Sequence, residues 1–441
     1  MLKTKVSTII TLFTLIIITL FGYVLLKDLQ GPSLSFSIDG KELEKKIGPR
    51  KEILVIAADT SGIRNVIISV KRGSKTLELY NKKFANGPKS IEFPFTLEDA
   101  KLPEGAFTLI VKTHDASLAG FNKGNSTTKE IKLSMDNKQP RIVVETFPPS
   151  IHRGGAGLIV YKVSEKTRKT GVYVGDYFFP AYEQKEGTYA CLFAFPEFML
   201  FSEYYPQIMA EDKAGNITES RLIVNAVNKN FPSDKVKITE DFLTKKATEL
   251  AKIAPDKQTT LEQYLEANGA IRKANDKLIF DVCRKHVTPK ALWEGDFKAL
   301  PRSAVKAQFG DRRTYFLDGK EIDKQVHLGY DLASVAKADV PAGNNGVVIY
   351  VGYNGIYGNM VLLDHGLGLS SLYSHLTTMN VKVGDTVKKG DVLGTTGTTG
   401  LAVGDHVHFG ILVQGIPVQP KEWIDPKWVR NNISSRLSKA F

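Results

Sequence analysis

The stretch "VGDHVHFGIL" at residues 403–412 carries two of the chain's eight histidines, one residue apart. Its apolar residues predict a β-strand, and the side chains of a strand alternate between its two faces. His406 and His408 should therefore project from one face, with Val407 and Phe409 on the other. Two adjacent imidazoles on a rigid strand suit metal binding or proton transfer. The alternative is a surface histidine next to a half-buried one, because His-x-His alone is a weak signal.

Two more stretches carry residues of the same chemistry. In "DKQVHLGYDLAS", His327 and Asp331 are four residues apart. Gly329 lies between them and disfavours a helix, so we expect an extended histidine followed by an aspartate on a turn. A His-x-x-x-Asp spacing is common by itself, and the chain has no His-Glu-x-x-His motif. In "YSHL", His375 adds a further imidazole.

Together, "HLGYD", "YSHL" and "HVH" resemble the LytM/lysostaphin-type (M23) peptidoglycan zinc metalloendopeptidases. Further stretches match the same family: "FGDRR", "GNMVLLDHGLGLSSLYSHL", "VKVGDTVKKGDVLGTTGTTG" and "QGIPVQPKEWID". The resemblance covers roughly residues 290–427, about a third of the chain. It implies a catalytic domain with a compact, antiparallel β fold.

The resemblance also implies roles for individual residues. His327, Asp331 and His408 would bind one Zn²⁺ per chain, and three protein ligands are typical of a catalytic rather than a structural zinc. His375 and His406 would be the catalytic pair that handles protons and stabilises the oxyanion. No cofactor-binding residues beyond the zinc ligands are implied. His365 in "LLDHGLG" is expected to be a hydrogen-bonded structural histidine.

Dense glycine and hairpin signals predict the elements that must position these residues. We expect residues 291–427 to form the antiparallel β peptidase domain, followed by a tail at 428–441. Apolar residues at helical spacing predict a helical connector over 231–290, with Thr239 as an N-cap. An amphipathic segment just before a catalytic domain could control access to its cleft.

Short apolar runs separated by turn residues predict β structure between the N-terminus and the connector. Residues 107–140 resemble residues 204–232: each has a strand, an acidic turn, a Gly-Asn pair and a closing strand. We therefore expect two Ig-like β-sandwich modules, at 31–136 and 137–230. The fold class is mainly β.

The N-terminus carries Lys3 and Lys5 and then no charge from Val6 to Leu26. A helix of this length spans a ~30 Å hydrocarbon core, and no small-x-small cleavage site follows it. We therefore predict a signal-anchor transmembrane helix within residues 1–30, in a bacterial cytoplasmic membrane. The two lysines put the N-terminus inside, which leaves the bulk of the chain in the periplasm or outside the cell.

The net charge and the motifs of the sequence indicate which classes of binding partner to expect. The 441 residues carry a net charge of +12, which favours anionic partners such as lipid or a cell-wall polymer. No basic reading helix or zinc-finger spacing is present, so no nucleic-acid partner is expected. The sequence identifies no protein partner. Cys191 and Cys283 are expected to be unpaired, buried thiols.

The sequence thus predicts a membrane-anchored zinc endopeptidase that hydrolyses peptide cross-links in the stem peptides of peptidoglycan. One alternative is a non-catalytic LytM-like regulator that activates other wall hydrolases, although all five site positions are intact. Another is an adhesion or scaffold stalk, in which the β modules are the functional part.

Overall fold

The computed structural model describes residues 14–17, 19, 22, 30–38, 45–85, 87–117 and 123–441. The predicted transmembrane run, Val6–Leu26, lies largely outside these residues. No helix within the described ranges is long and apolar enough to cross a membrane. The chain divides into two compact units, Met1–Pro140 with Glu211–Ile217, and Arg141–Ala210 with Thr218–Phe441.

The first unit contains eight strands in its described residues. They are β1 Ser33–Ser37, β2 Lys46–Ile47, β3 Ile53–Ala58, β4 Ile63–Arg72, β5 Lys75–Lys83, β6 Ser90–Phe95, β7 Gly105–Asp115 and β8 Ser126–Met135. They form a three-stranded sheet, β1-β3-β6, and a five-stranded sheet, β2-β8-β7-β4-β5. Every second side chain of β3 is buried, as the sequence alternation predicts. Both sheets contribute to one apolar core.

The next ten strands continue this β architecture. They are β9 Ile142–Thr146, β10 Ile151–His152, β11 Ala156–Val163, β12 Thr167–Val174, β13 Tyr177–Pro180, β14 Tyr182–Lys185, β15 Thr188–Ala194, β16 Gln207–Asp212, β17 Ile217–Arg221 and β18 Ala226–Val227. Two four-stranded sheets result, β14-β15-β11-β9 and β13-β12-β16-β17, and β10 pairs with β18. The Ig-like assignment of both modules stays a prediction.

The predicted internal repeat has a common local structure. Asp115 Oδ1 accepts a hydrogen bond from the Asn125 backbone N–H at 2.8 Å, and Asn125 Nδ2 donates to Asp115 Oδ2 at 2.9 Å. Asp212 and Asn216 make the same two bonds at 2.8 and 2.9 Å. The acidic turn and the Gly-Asn pair of each repeat therefore form one aspartate–asparagine clasp.

The connector contains one strand and three helices: β19 Ser233–Ile238, α1 Glu240–Ile253, α2 Thr260–Glu266 and α3 Arg272–Lys285. The Thr239 hydroxyl accepts from the Phe242 backbone N–H at 3.1 Å, which confirms the predicted N-cap. A π turn at Ala267–Ile271 holds Gly269 and links α2 directly to α3.

The C-terminal region is dominated by short strands. They are β20 Ala304–Ala307, β21 Arg312–Leu317, β22 Lys320–Val326, β23 Tyr330–Ala333, β24 Asp339–Pro341, β25 Gly346–Tyr353, β26 Asn359–Gly366, β27 Leu369–Leu376, β28 Thr378–Met379, β29 Thr386–Val387, β30 Val392–Thr395, β31 Val407–Val413 and β32 Ile416–Val418. Short helices follow: α4 Pro420–Ile424, α5 Pro426–Val429 and α6 Ser435–Leu437.

An eight-stranded sheet carries the central part of this region, in the order β20-β23-β31-β27-β26-β25-β29, with β32 on β31. Its strand pairs are antiparallel, as the hairpin signals predict. The connector strand β19 instead pairs in parallel with β21, and β22 completes that three-stranded sheet. The connector is therefore part of the β structure as well as a helical segment.

One apolar core joins the second β region to the C-terminal region. It contains Tyr161 and Phe193 from the former and Phe297 and Trp423 from the latter. Hydrogen bonds cross the same boundary, including one from the Gln419 backbone N–H to the Gly154 carbonyl at 2.7 Å. These two segments therefore share one core. The predicted domain boundaries stay predictions. Cys191 and Cys283 are buried and unpaired, as expected.

Candidate active site

Two neighbouring strands bring Asp331 and His408 together. In the antiparallel pair β23 and β31, these two residues are direct cross-strand partners. Side chains of such partners share a face of the sheet, and Asp331 Oδ1 lies 3.0 Å from His408 Nδ1. Val407 and Phe409 on the opposite face are almost fully buried, at 1% and 2% exposure. The predicted strand is present as β31, Val407–Val413, whereas His406, expected on the same strand, lies one residue before it.

His327 completes a group of three donor atoms. It follows β22, and its Nε2 lies 2.9 Å from both Asp331 Oδ1 and His408 Nδ1. Its other ring nitrogen, Nδ1, lies 2.9 Å from the Gln308 carbonyl. A carbonyl can only accept, so Nδ1 carries a proton, and Nε2 is the ring nitrogen directed at Asp331 and His408.

This donor set fits a metal ion. Two imidazole nitrogens and one carboxylate oxygen, from His327, His408 and Asp331, lie within 4.8 Å of one another. Facing lone pairs and a carboxylate repel each other unless a cation or protons lie between them. Nitrogen and oxygen donors of these types are common zinc ligands, and a set of three leaves a coordination position open.

The absence of a side chain at Gly329 lets the His408 ring lie close to the backbone. A Cβ placed on Gly329 would lie 2.5 Å from His408 Nε2 and 2.8 Å from the Phe409 carbonyl oxygen. Both distances are far below van der Waals contact. The glycine between His327 and Asp331 is therefore required for the His408 ring to lie against the chain there.

His375 and His406 form a second pair of imidazoles beside the first group. Their ring centroids are 4.8 Å apart, and His406 Nε2 lies 3.6 Å from Asp331 Oδ1. Each donates its Nδ1 proton to a carbonyl, His375 to Thr399 at 2.9 Å and His406 to Gly404 at 2.7 Å. In both rings this bond leaves Nε2 as the nitrogen that can exchange a proton, and in His406 that nitrogen also faces Asp331.

His375 has an unusual backbone conformation. It lies at the end of β27 with a φ of 64°, in the left-handed region that non-glycine residues seldom adopt. Such conformations persist only where surrounding contacts impose them, and they concentrate at functional sites. The position of this imidazole is therefore fixed by tertiary contacts rather than by strand geometry.

Burial and charge set the protonation of the donor group. Burial raises the pKa of Asp331, but the His327 charge and hydrogen bonds from three imidazoles outweigh it and hold the pKa well below its ordinary value. Burial lowers the pKa of His408 to about 4. A carboxylate and a neutral imidazole are the protonation states that metal binding requires.

The surroundings of His375 and His406 shift the pKa values of the two imidazoles in opposite directions. Burial, followed by the charges of His406 and His408, lowers the pKa of His375 well below its ordinary value. Burial also lowers the pKa of His406, but its hydrogen bond and charge interaction with Asp331 outweigh burial and raise it. Two titratable groups whose pKa values are pushed apart suit one acid and one base.

The structure separates the remaining histidines from this group. His365 is fully buried on β26, with Nδ1 2.6 Å from the Asn345 carbonyl and Nε2 2.7 Å from Ser371 Oγ. Its role as a structural histidine stays a prediction that these contacts support. His114 bonds Asn65, and His152 lies 3.9 Å from Glu422.

A cleft of about 600 Å³ opens onto the five site residues. Its walls come from three parts of the chain, because Phe198 of the second β region and Phe242 of α1 line it together with Tyr357. A second, largely apolar cavity of about 420 Å³ shares Phe198, Tyr357 and His408 with the cleft.

Several neighbours of the site have no distinguishing signal in the sequence. Gln308 and Thr399 act through backbone carbonyls, which any residue type could supply. Arg313 lies 3.5 Å from Asp331 Oδ2 and belongs to the "FGDRR" stretch that matches the family. That stretch could have identified the arginine as a site neighbour, but the carbonyls could be found only from the fold.

Residues 325–420 match the family model of Peptidase family M23. This part of the chain is a peptidase M23 domain. The match contains all five site residues and confirms the resemblance drawn from "HLGYD", "YSHL" and "HVH".

Curated relatives are similar over the same region. DD-carboxypeptidase/endopeptidase Mpg of Neisseria meningitidis is 36% identical over 96 residues, which is 22% of this chain and 22% of Mpg. Peptidoglycan DD-endopeptidase ShyC of Vibrio cholerae is 34% identical over 117 residues, 26% of each chain. The chain thus matches only about a quarter of the length of these relatives.

Solved structures also match parts of this chain. The catalytic domain of lysostaphin from Staphylococcus simulans matches with 28% identity over 30% of this chain and 98% of its own, with a TM-score of 0.26. A putative peptidase M23 from Pseudomonas aeruginosa covers 63% of this chain and 95% of its own, with 19% identity and a TM-score of 0.39.

Proposed function

We propose that this protein is a zinc metalloendopeptidase that hydrolyses peptide cross-links of peptidoglycan. The observation that carries the proposal is the group of His327, Asp331 and His408, with His375 and His406 beside it, at the base of one cleft. That this cleft belongs to an M23 domain supports peptide hydrolysis. The names of relatives, which include peptidoglycan DD-endopeptidases, support the substrate class.

His327 Nε2, His408 Nδ1 and one Asp331 oxygen would hold the zinc. Zinc, when bound, supplies Lewis acidity that polarises oxygen ligands and lowers the pKa of water. Asp331 Oδ2 faces Arg313, so Oδ1 is the oxygen directed at the two imidazoles. The Gln308 carbonyl keeps the His327 ring in the tautomer that the metal needs.

His375 and His406 would move the protons of the reaction. Hydrolysis requires one proton to leave the attacking water and one to reach the amine that departs. The Nε2 atoms are the ring nitrogens that can do this, because carbonyls hold both Nδ1 protons. A protonated Nε2 also donates to the oxyanion that develops on the substrate carbonyl.

The charge of the whole chain, rather than that of the cleft, supports an anionic substrate. The net charge of +12 favours an anionic cell-wall polymer as a partner. The cleft itself is mixed in charge, because Arg272, Lys306 and Arg313 line it together with Glu197, Asp276, Asp331 and Asp405.

Digestion of purified peptidoglycan by the full-length protein tests the function. We expect cross-linked muropeptides to decrease and monomers to increase, with loss of activity in a chelator and recovery on addition of zinc. His408→Ala is the control for contaminating hydrolases. Unchanged cross-links with zinc-loaded protein would contradict the proposal. If the protein then stimulates an added wall hydrolase, the regulator alternative is supported instead.

We further propose that the uncharged run Val6–Leu26 anchors the protein in the cytoplasmic membrane, with the M23 domain on the outer side. The support is the length of the run and the two lysines before it. Full-length protein should remain with membranes after a high-salt wash. Release of a shorter soluble form beginning near residue 28 would contradict the anchor.

A further inference from the structure

Helix α1 of the connector contacts a short segment at the edge of the cleft. Lys246 Nζ donates to the Thr398 carbonyl at 2.7 Å and to the Gly400 carbonyl at 3.1 Å. One turn further along the helix, Glu249 Oε1 accepts from the Gly400 backbone N–H at 2.8 Å. Two side chains on one face of α1 therefore hold both ends of the segment 398–400.

The middle residue of this segment holds a site histidine. The Thr399 carbonyl accepts the Nδ1 proton of His375 at 2.9 Å, while the carbonyls on either side of it bind Lys246. Thr399 Oγ1 also bonds the Leu376 carbonyl at 3.0 Å, directly after His375. Any rotation of the segment would move the acceptor that selects the His375 tautomer.

Further contacts hold α1 beside this segment. Glu249 Oε1 also accepts from the Tyr353 hydroxyl at 2.6 Å, and Lys252 Nζ lies 3.5 Å from the centre of the Tyr353 ring. Lys246 and Glu249 are both half-buried, and hydrogen bonds of charged groups strengthen as water is excluded. His375 has a left-handed backbone, which needs such outside support.

We propose that Lys246 and Glu249 are positioning residues for the reaction. They fix the Thr399 carbonyl, and through it the tautomer and direction of the His375 ring. This inference rests on the proposed hydrolytic function. It assigns the connector a part in building the active site, in addition to its place in the wall of the cleft.

Kinetics of full-length variants on a cross-linked muropeptide dimer test the inference. Lys246→Met and Glu249→Ala should each lower kcat ~10–100-fold, the range for groups that orient a ligand or catalytic residue, with KM and zinc content unchanged. Glu249→Gln keeps an oxygen for the Gly400 N–H and should retain most activity. Lys245→Met is the matched control, because Lys245 is exposed and pairs only with Asp241 among the described residues.

A double-variant cycle separates positioning from general structural support. If Lys246 acts through His375, Lys246→Met should add little loss in a His375→Ala background. A multiplicative loss, or an equal loss in Lys245→Met, would overturn the inference. NMR of the ring nitrogens gives a readout that needs no turnover: His375 should lose its single Nδ1–H tautomer in Glu249→Ala.

An unchanged tautomer in Glu249→Ala and Lys246→Met would also overturn the inference, whether or not the protein cleaves peptidoglycan. Failure of the wild-type protein to cleave, with the tautomer change present, would instead remove the proposed function alone. If Lys246→Met does not fold, Glu249→Ala and Glu249→Gln carry the same comparison.

Discussion

His406 and His408 lie two positions apart in the sequence but have different surroundings. His408 Nδ1 lies 3.0 Å from Asp331 Oδ1, within the donor group. His406 precedes the first residue of β31, is joined to Gly397 by an isolated bridge, and bonds the Gly404 carbonyl. One histidine is therefore placed by the sheet and the other by a loop, which is consistent with one metal ligand and one proton carrier.

This division predicts different losses for the two residues. His408→Ala should lose zinc and activity together, because two remaining ligands hold the ion too weakly. His406→Ala should keep its zinc and lose turnover ~10²–10⁴-fold, the usual contribution of a general acid or base. Zinc content and muropeptide release on each purified variant check both outcomes. Zinc lost from His406→Ala but retained in His408→Ala would reverse the roles.

Substitution of Gly329 should weaken zinc binding, although Gly329 is not one of the proposed ligands. Gly329→Ala puts a Cβ 2.5 Å from His408 Nε2, so the imidazole or the chain must shift. We expect weaker zinc binding and a large loss of activity, although no ligand is changed. Gly269→Ala is the matched control, because a Cβ there meets nothing within 4 Å. Zinc affinity of Gly329→Ala equal to that of the control would contradict the assigned geometry.

Helices and strands could be predicted from the sequence where residues close together in the chain determine them. Thr239 was predicted as an N-cap because a hydroxyl before a helical pattern has a nearby N–H to accept. The apolar residues of 403–412 predicted a strand, and the structure has one, β31, at Val407–Val413. By contrast, the parallel pairing of β19 with β21 joins residues far apart in sequence, and no local pattern encodes it.

The N-cap of α1 should contribute measurably to the stability of the protein. Thr239→Ala removes the acceptor of the Phe242 N–H and should lower the free energy of unfolding by about 1 kcal/mol. Thr239→Ser should restore most of that loss. Thr244→Ala, on the exposed side of the same helix, is the control and should be neutral or slightly stabilising. Denaturant unfolding of the four proteins measures the differences, and equal stability of all four would show that the cap contributes nothing.

Over the whole chain, the candidate site and the domain boundaries depend on different kinds of signal. The five candidate site positions could be proposed from the sequence because their side-chain types and spacings carry the chemistry. How the segments pack against one another could not be predicted, because burial of one apolar surface against another depends on the complete fold. The predicted module at 137–230 stays a prediction, and the structure adds that Tyr161 and Phe193 share a core with Trp423.

That shared core predicts how the second unit unfolds. Residues 141–441 should unfold in one cooperative transition, because the second β region and the M23 domain bury their apolar surfaces in a single cluster. A fragment of residues 231–441 would expose the part of this surface that the second β region covers. It would also lose the hydrogen bonds from Gln414 to Tyr182 and from Gln419 to Gly154. We therefore expect it to be less soluble and to unfold at a lower temperature than residues 141–441. Calorimetry of both fragments checks this, and equal unfolding temperatures, or two separate transitions in the longer fragment, would mean that the M23 domain folds without the second β region.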